Sequence, residues 1–342
     1  MPFLPPARAC GLIIASVMAL NCGRPVIDNR PATPEAPPRA PLTELWNEPQ
    51  DLERRTLLWG SASADEAPSK DAEYTVVKVD QSGFSDGYDV VGPDGREWDI
   101  KVGPEAQTEV VVSRILWALG YHQPATYFVT GWKLQGTYED EGEPARFRLE
   151  SDHDSDGEWE WLENPFNGTR VFRGLIAINL LLSNWDFKTS NNRIYVSKGP
   201  DGPVRRYVVQ DLGASFGKPR LARSNKLLAL LPGRVGTRND IDDFEDTTLI
   251  REVKGSEVTL DYRGPRGEIL ETMNVADVIW ACELMNRLQD AQLDDAFEAA
   301  GYEPAIRARF IAKIRAKLRE GLALRDGLAP RADARRSTEG QE

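Results

Sequence analysis

The chain is poor in histidine and cysteine, with two His and three Cys among 342 residues. So few exclude His- or Cys-rich metal sites and a disulfide framework. A Ser-His-Asp hydrolase would have to draw its base from His122 or His153, which leaves triad chemistry little room. Basic residues are also outnumbered: 42 Lys plus Arg face 54 Asp plus Glu, a net charge of −12. Nucleic acid and anionic membrane surfaces both require a basic face, so neither is expected as a main partner. The apolar run Ala9–Leu20 has 12 residues, against the roughly 20 needed to cross a bilayer. What is plentiful is carboxylate. The 41% hydrophobic share supports a real core in one large domain or two modest ones. Catalysis in such a chain would run on Asp, Glu, Lys and Asn.

The N-terminus reads as an address. Arg8 followed by the small and apolar run Ala9–Leu20 has the length of an export signal's apolar region. Ala19-Leu20-Asn21-Cys22 resembles a bacterial lipoprotein signal, in which the cysteine becomes the lipidated first residue. Ala19 and Asn21 stand where that signal has Leu and a small residue, and an ordinary cleaved signal fits the same run. Gly23–Leu42 is rich in Pro and reads as an extended tether. The expected setting is the bacterial cell envelope, with the membrane reached only through a lipid on Cys22. Cys282 lies in an apolar helical pattern and reads as inert core.

Five segments follow: 1–21 as signal peptide, 22–72 as tether and N-terminal extension, 73–150 and 151–328 as two lobes, and 329–342 as a polar tail. Tyr74–Val79 reads as a strand. Tyr88–Val91 and Arg96–Val102 read as strands joined by the turn Gly92-Pro93-Asp94-Gly95. Pro104 opens a helix to about Leu119, with Val112, Leu116 and Leu119 on one face. Thr126–Leu134 and Ala145–Glu150 are further strands. Arg170–Ser183 reads as a buried helix, and Arg193–Val196 with Arg205–Val209 as a second hairpin. Val275–Leu288, Leu293–Ala300 and Pro304–Leu324 read as closing helices. The acidic run Asn239–Asp246 reads as a solvated loop.

The chemistry concentrates after the buried helix. Asn184-Trp185-Asp186-Phe187-Lys188-Thr189-Ser190-Asn191 precedes the second hairpin, which ends in Asp211-Leu212-Gly213. Upstream, Trp98-Asp99-Ile100-Lys101 ends a strand, Glu109 follows on the next helix, and Gly83-Phe84-Ser85-Asp86-Gly87 lies one hairpin earlier. This order resembles the protein-kinase superfamily, whose catalytic loop reads His-Arg-Asp-Leu-Lys-x-x-Asn and whose magnesium motif is Asp-Phe-Gly. The resemblance implies an α+β bilobal fold: a small antiparallel-sheet lobe with one helix, then a mainly helical lobe. It implies ATP and Mg2+ as cofactors. Lys101, paired with Glu109, would hold the α- and β-phosphates, and Gly83 and Gly87 would cover phosphate with backbone N–H groups. Asn191 and Asp211 would be the hard oxygen ligands that magnesium prefers. Asp186 would accept the acceptor's proton, and Lys188 would sit near the γ-phosphate.

Several features depart from the pattern. Asn184-Trp185 replaces His-Arg. Lys101 and Glu109 are eight positions apart, so Glu105 is a rival partner. There is no Gly-x-Gly-x-x-Gly and no Ala-Pro-Glu. In these respects the chain looks like the atypical branches: HipA-type kinases, phosphatidylinositol kinases and secreted CotH-type kinases. Three functions stay open. One is phosphotransfer from ATP to an unknown protein or small-molecule acceptor. Another is a non-catalytic, pseudokinase-like surface protein that binds a protein or glycan, which suits a periplasm without ATP. The third is AMPylation on the same fold.

One motif falls outside that scheme. Asp152, Asp154, Asp156, Gly157 and Glu163 satisfy the spacing of a calcium-binding EF-hand loop. Its flanks do not: Arg146–Glu150 and Trp159-Glu160-Trp161 alternate like strands, and Pro165 blocks an exit helix. A Ca2+ site and an acidic hairpin between the lobes are therefore both carried forward.

Overall fold

The computed structural model describes residues 35–80, 85–150, 154–200, 202–218, 236–264 and 266–327. The expectations placed on the signal run, Cys22, Gly83, Asp152, His153 and residues 328–342 lie outside the described residues.

The fold is α+β and has two lobes. The first contains β1 (Glu73–Asp80), β2 (Gly87–Val91), β3 (Glu97–Val102), α1 (Glu105–Ala118), β4 (Thr126–Val129), β5 (Lys133–Leu134) and β6 (Ala145–Leu149). The strands form one sheet in the order β4-β6-β3-β2-β1-β5. All neighbours are antiparallel except β1 and β5. The β2–β3 hairpin closes at Val91 and Glu97, with Gly95 in the left-handed region at φ 82. Alternation decides the two faces of the sheet. Tyr88, Val90, Trp98, Ile100, Phe147 and Leu149 form a buried aromatic-rich core on one side. Asp89, Asp99, Lys101, Arg146 and Arg148 occupy the alternate positions. Helix α1 begins one residue after Pro104, and its Val110, Val111, Ile115 and Leu116 join the core of the second lobe. The helix therefore bridges the lobes.

The second lobe contains β7 (Asp154–Ser155), α2 (Arg170–Leu181), β8 (Asn192–Gly199), β9 (Gly202–Val209), α3 (Ile241–Glu245), β10 (Ile250–Lys254), β11 (Glu257–Leu260), α4 (Val275–Asn286), α5 (Asp290–Ala299) and α6 (Pro304–Ala323). Thr169 caps α2 by accepting from the Phe172 N–H at 3.2 Å. Helix α2 is buried all round except at its first residue, Arg170, and packs on α4. The two approach so closely that a Cβ on Gly174 would stand 2.1 Å from the Trp280 ring. Phe216, Phe244, Phe297 and Phe310 cluster where α3, α5 and α6 meet, with Phe297 and Phe310 stacked and Phe216 edge-on to Phe244. Cys282 is buried, and burial pushes its thiol up to about 12, so it is inert.

Four readings of the sequence need correction. Thr126–Leu134 is not one strand: the chain turns at Gly131, φ 71, so β4 and β5 lie at opposite edges of the sheet. Trp159 and Trp161 belong to irregular chain whose alternation comes from packing both rings against Phe172. Asn239–Asp246 contains α3, because Phe244 anchors it in the core and Asp240 caps it. Finally, the chain is not a free tether as far as Leu42. Ala36 donates its N–H to the Gly168 carbonyl at 3.1 Å, and Arg39 donates to the Asn164 carbonyl. Beyond it Leu45, Leu52 and Leu57 are buried. Leu52 lies in a short 3-10 turn, Leu45 just after another and Leu57 in an ordinary turn, and such short pieces have no periodicity long enough to register in sequence.

Candidate functional site

Lys101 follows two core positions on β3, so alternation turns its side chain away from the core and toward the gap between the lobes. The turn at Gly103 then starts α1, where Glu105 and Glu109 share one face at i and i+4. Lys101 Nζ donates to Glu109 Oε1 in the tightest of its contacts. Glu105 Oε2 is 3.5 Å away and Asp211 Oδ1 3.2 Å away. The rivalry between the glutamates is thus decided by geometry in favour of Glu109, while Glu105 takes Arg238 Nη1 at 2.7 Å. Burial alone would lower the Lys101 pKa. Asp211, Glu109 and Glu105 together outweigh it and hold the ammonium charged, well above the ordinary lysine value. Glu109 is anchored from behind by Arg146 Nε at 2.8 Å, and Arg146 reaches Asp99 Oδ1 at 2.7 Å.

Each residue of Asp211-Leu212-Gly213 has a physical reason. The Asp211 carboxylate faces Lys101 and accepts the Gly213 N–H at 3.2 Å, with 37% of its side chain exposed to the cleft. Burial works against its charge, but Lys101 beside it holds the carboxyl well below the usual range. Leu212 is fully buried. Gly213 lies against α1, where a Cβ would come within 2.6 Å of the Glu105 Cβ.

The loop after α2 delivers the remaining groups. Ser183 takes the left-handed conformation, φ 56, that ends the helix. Asn184 Oδ1 accepts the Asp186 N–H at 3.1 Å, and Phe187 is buried edge-on to Trp161. Asn191 Nδ2 donates to the Asp186 carbonyl at 2.8 Å, and the Asn191 carbonyl accepts the N–H groups of Gln210 and Asp211. Asp186, Asn191 and Asp211 are therefore stitched together through the backbone. Lys188 Nζ sits 2.6 Å from Asp186 Oδ2, with 60% of its side chain exposed. Asp186 Oδ1 is buried and has no hydrogen-bond partner among the described residues.

These groups line one cleft of about 480 Å³, which holds Lys101, Glu105, Asp186, Lys188, Asn191 and Asp211. Gly87 also lines it at the start of β2, close enough to β3 that a Cβ would lie 3.0 Å from the Ile100 carbonyl oxygen. Sequence reasoning missed Arg238, which stacks 5.2 Å over Trp185 and joins the cleft from a distant segment. It also missed the Arg146, Arg148 and Asp99 group behind Glu109. The alternation Arg146-Phe147-Arg148 was its available signal.

The calcium motif is not assembled as a helix–loop–helix. Asp154 pairs with Val196 between β7 and β8, and Asp156 Oδ2 takes Arg205 Nε at 3.0 Å. Glu163 is exposed. Among the described residues, the one group of carboxylates close enough to share a metal is Glu105, Glu109 and Asp211, within 4.8 Å of one another. His122 is held by the Thr43 carbonyl at 2.8 Å, outside the cleft.

No family model and no curated protein matches the chain. One solved structure that it resembles is the Helicobacter pylori proinflammatory kinase CtkA. The TM-score is 0.43 and the identity 11%, over 75% of this chain and 95% of that one. A likeness at that level is one of broad shape and says nothing of activity.

Proposed function

We propose that this chain is a kinase-like phosphotransferase that moves the γ-phosphate of ATP to an acceptor hydroxyl. The observation that supports it most is the meeting, in one cleft, of a charged Lys101 clamped by Glu109 and Asp211 with the carboxylate of Asp186. A carboxylate at the cleft wall, held in place through its backbone by Asn184 and Asn191, is the kind of group that can take a proton from an acceptor hydroxyl.

Phosphoryl transfer requires positioning and compensation of charge more than covalent work by the protein. Lys101 offers a fixed cation for the non-transferred phosphates, and Arg146 behind Glu109 keeps that carboxylate from drifting. Lys188, flexible and exposed, can swing from Asp186 to a transferred phosphate. Asp186 would accept the hydroxyl proton.

The donor set also fits magnesium. Lys101 occupies the middle of the Glu105, Glu109 and Asp211 group, so the oxygen left open is on the exposed side of Asp211. Asn191 uses its Nδ2 on the Asp186 carbonyl, which leaves its amide oxygen as the second ligand. A bound magnesium ion would neutralise charge on the β- and γ-phosphate oxygens.

The test incubates the full chain with magnesium and ATP labelled on either the γ- or the α-phosphate. Label transfer from the γ position, falling about 100-fold or more in Asp211→Ala, is expected. Transfer from the α position would replace this reading with AMPylation. Absence of both, without stabilisation by Mg-ATP, would leave a non-catalytic binding module. The cell-envelope setting is a separate proposal that rests on Ala9–Leu20 and Cys22. Incorporation of labelled fatty acid in cells, lost in Cys22→Ser, is its expected outcome.

A further inference from the structure

Lys317, in the middle of α6, is 0% exposed. The charges that act on it most are Lys313 and Glu320 on its own helix and Asp261 beyond β11. No carboxylate among the described residues lies within ion-pairing distance of it. A buried amine without a counter-charge costs stability, and an unbranched apolar side chain would fill the same space without that cost. Its presence there therefore calls for a reason beyond packing.

Its hydrogen bonds supply one. Lys317 Nζ donates to the Leu181 carbonyl at 3.1 Å and to Ser183 Oγ at 2.7 Å, and stands 4.8 Å over the Phe244 ring. Leu181 is the last residue of α2, where carbonyls lack a helical partner. Ser183 is the left-handed residue that follows, a conformation that side chains other than glycine adopt reluctantly. Its hydroxyl is also 3.3 Å from Thr247 Oγ1. From that turn the chain runs to Asn184, whose N–H reaches the Asn179 carbonyl at 2.8 Å and whose Oδ1 accepts the Asp186 N–H. The Leu182 carbonyl, between the two Lys317 contacts, accepts the Phe216 N–H at 2.9 Å and so ties in the segment after Asp211.

We propose that Lys317 is a positioning residue for Asp186, holding by its two hydrogen bonds the strained turn from which the Asp186 loop departs. The inference rests on the reading of Asp186 as the proton acceptor. Charged or neutral, the amine keeps two N–H donors for Leu181 and Ser183, so the hold depends on hydrogen bonding and not on charge.

The experiment compares the full chain with Lys317→Met. Hydrogen exchange at the amides of Asn184 and Asp186 is expected to speed by about tenfold or more, with α4 and α5 unchanged. The turnover number should fall about 10- to 100-fold while the KM for ATP holds, because displacement of the base affects the chemical step and not nucleotide binding. Adding Ser183→Gly to the Met variant should restore part of the lost turnover, since glycine adopts the turn without strain. Ser183→Ala approaches the same bond from the other side and serves if the Met variant fails to fold. Unchanged exchange at residues 184–186 together with unchanged turnover would overturn the proposal. If the wild-type chain transfers no phosphate, the reading of Asp186 falls, and the exchange comparison still decides whether Lys317 holds the turn.

Discussion

Arg146 shows how the residue scale governs the site. It is 1% exposed and holds Glu109 on one side and Asp99 on the other, so the Lys101 clamp stands on a second layer of ion pairs. Removing one partner of a buried pair leaves an uncompensated charge. Arg146→Met is expected to lower unfolding free energy by about 3–5 kcal/mol in denaturant titrations. Lys317 makes the pH dependence explicit. Burial, with Lys313 adding to it, pushes its pKa down from 10.5 to about 7. Between those values the unfolded chain holds a proton that the folded chain has released. Stability from this group therefore rises with pH across that window and is lowest below it. Lys317→Met should remove that slope, which unfolding curves at about pH 7 and about pH 10 would show as a difference between variant and wild type.

Helix α1 is the element on which the site turns. Its apolar residues belong to the second lobe's core, while its Glu105 and Glu109 serve the first lobe's strand β3. Gly213 sets how near it can come. In Gly213→Ala the new Cβ would stand 2.6 Å from that of Glu105, so α1 must retreat from Asp211. The expected loss is about 1–3 kcal/mol of stability, typical of overpacking. Phosphate transfer should fall more steeply than stability implies, because Lys101 loses alignment with Asp211. Helix α1 was legible in sequence because its periodicity runs over four turns behind a proline. The hairpin of β10 and β11 went unread although its two-residue turn Gly255-Ser256, with Gly255 at φ 61, marks it; its strands are short and mostly polar. Helix α3 was hidden by five acidic residues around Phe244, although one aromatic anchor was enough to bury it.

At the scale of the molecule, the segment before the first strand is structural. Leu45, Leu52 and Leu57 are buried, and Gln292 donates to the Leu52 and Arg55 carbonyls while Arg55 donates to those of Trp117 and Ala118. The segment thus touches α1 and α5 together. Burying three leucines is worth about 5–9 kcal/mol, a large part of the roughly 5–15 kcal/mol that separates a folded domain from its unfolded chain. A chain shortened to begin at Glu73 is expected to lose its cooperative melting transition in calorimetry.

The amino-acid sequence by itself determined the strands of β2, β3 and β6, the helices α1, α2, α4 and α6, and the order of Lys101, Glu109, Asp186, Asn191 and Asp211. Period and turn chemistry are local properties, and they act within a few residues. Tertiary structure alone decided that Lys101 chooses Glu109 over Glu105, that Arg146, Arg238 and Lys317 support the cleft, and that the acidic run at Asp154 and Asp156 becomes a strand edge. Those outcomes depend on groups more than 30 residues apart meeting across a packed interface, where distance and burial select one partner among several of the same charge.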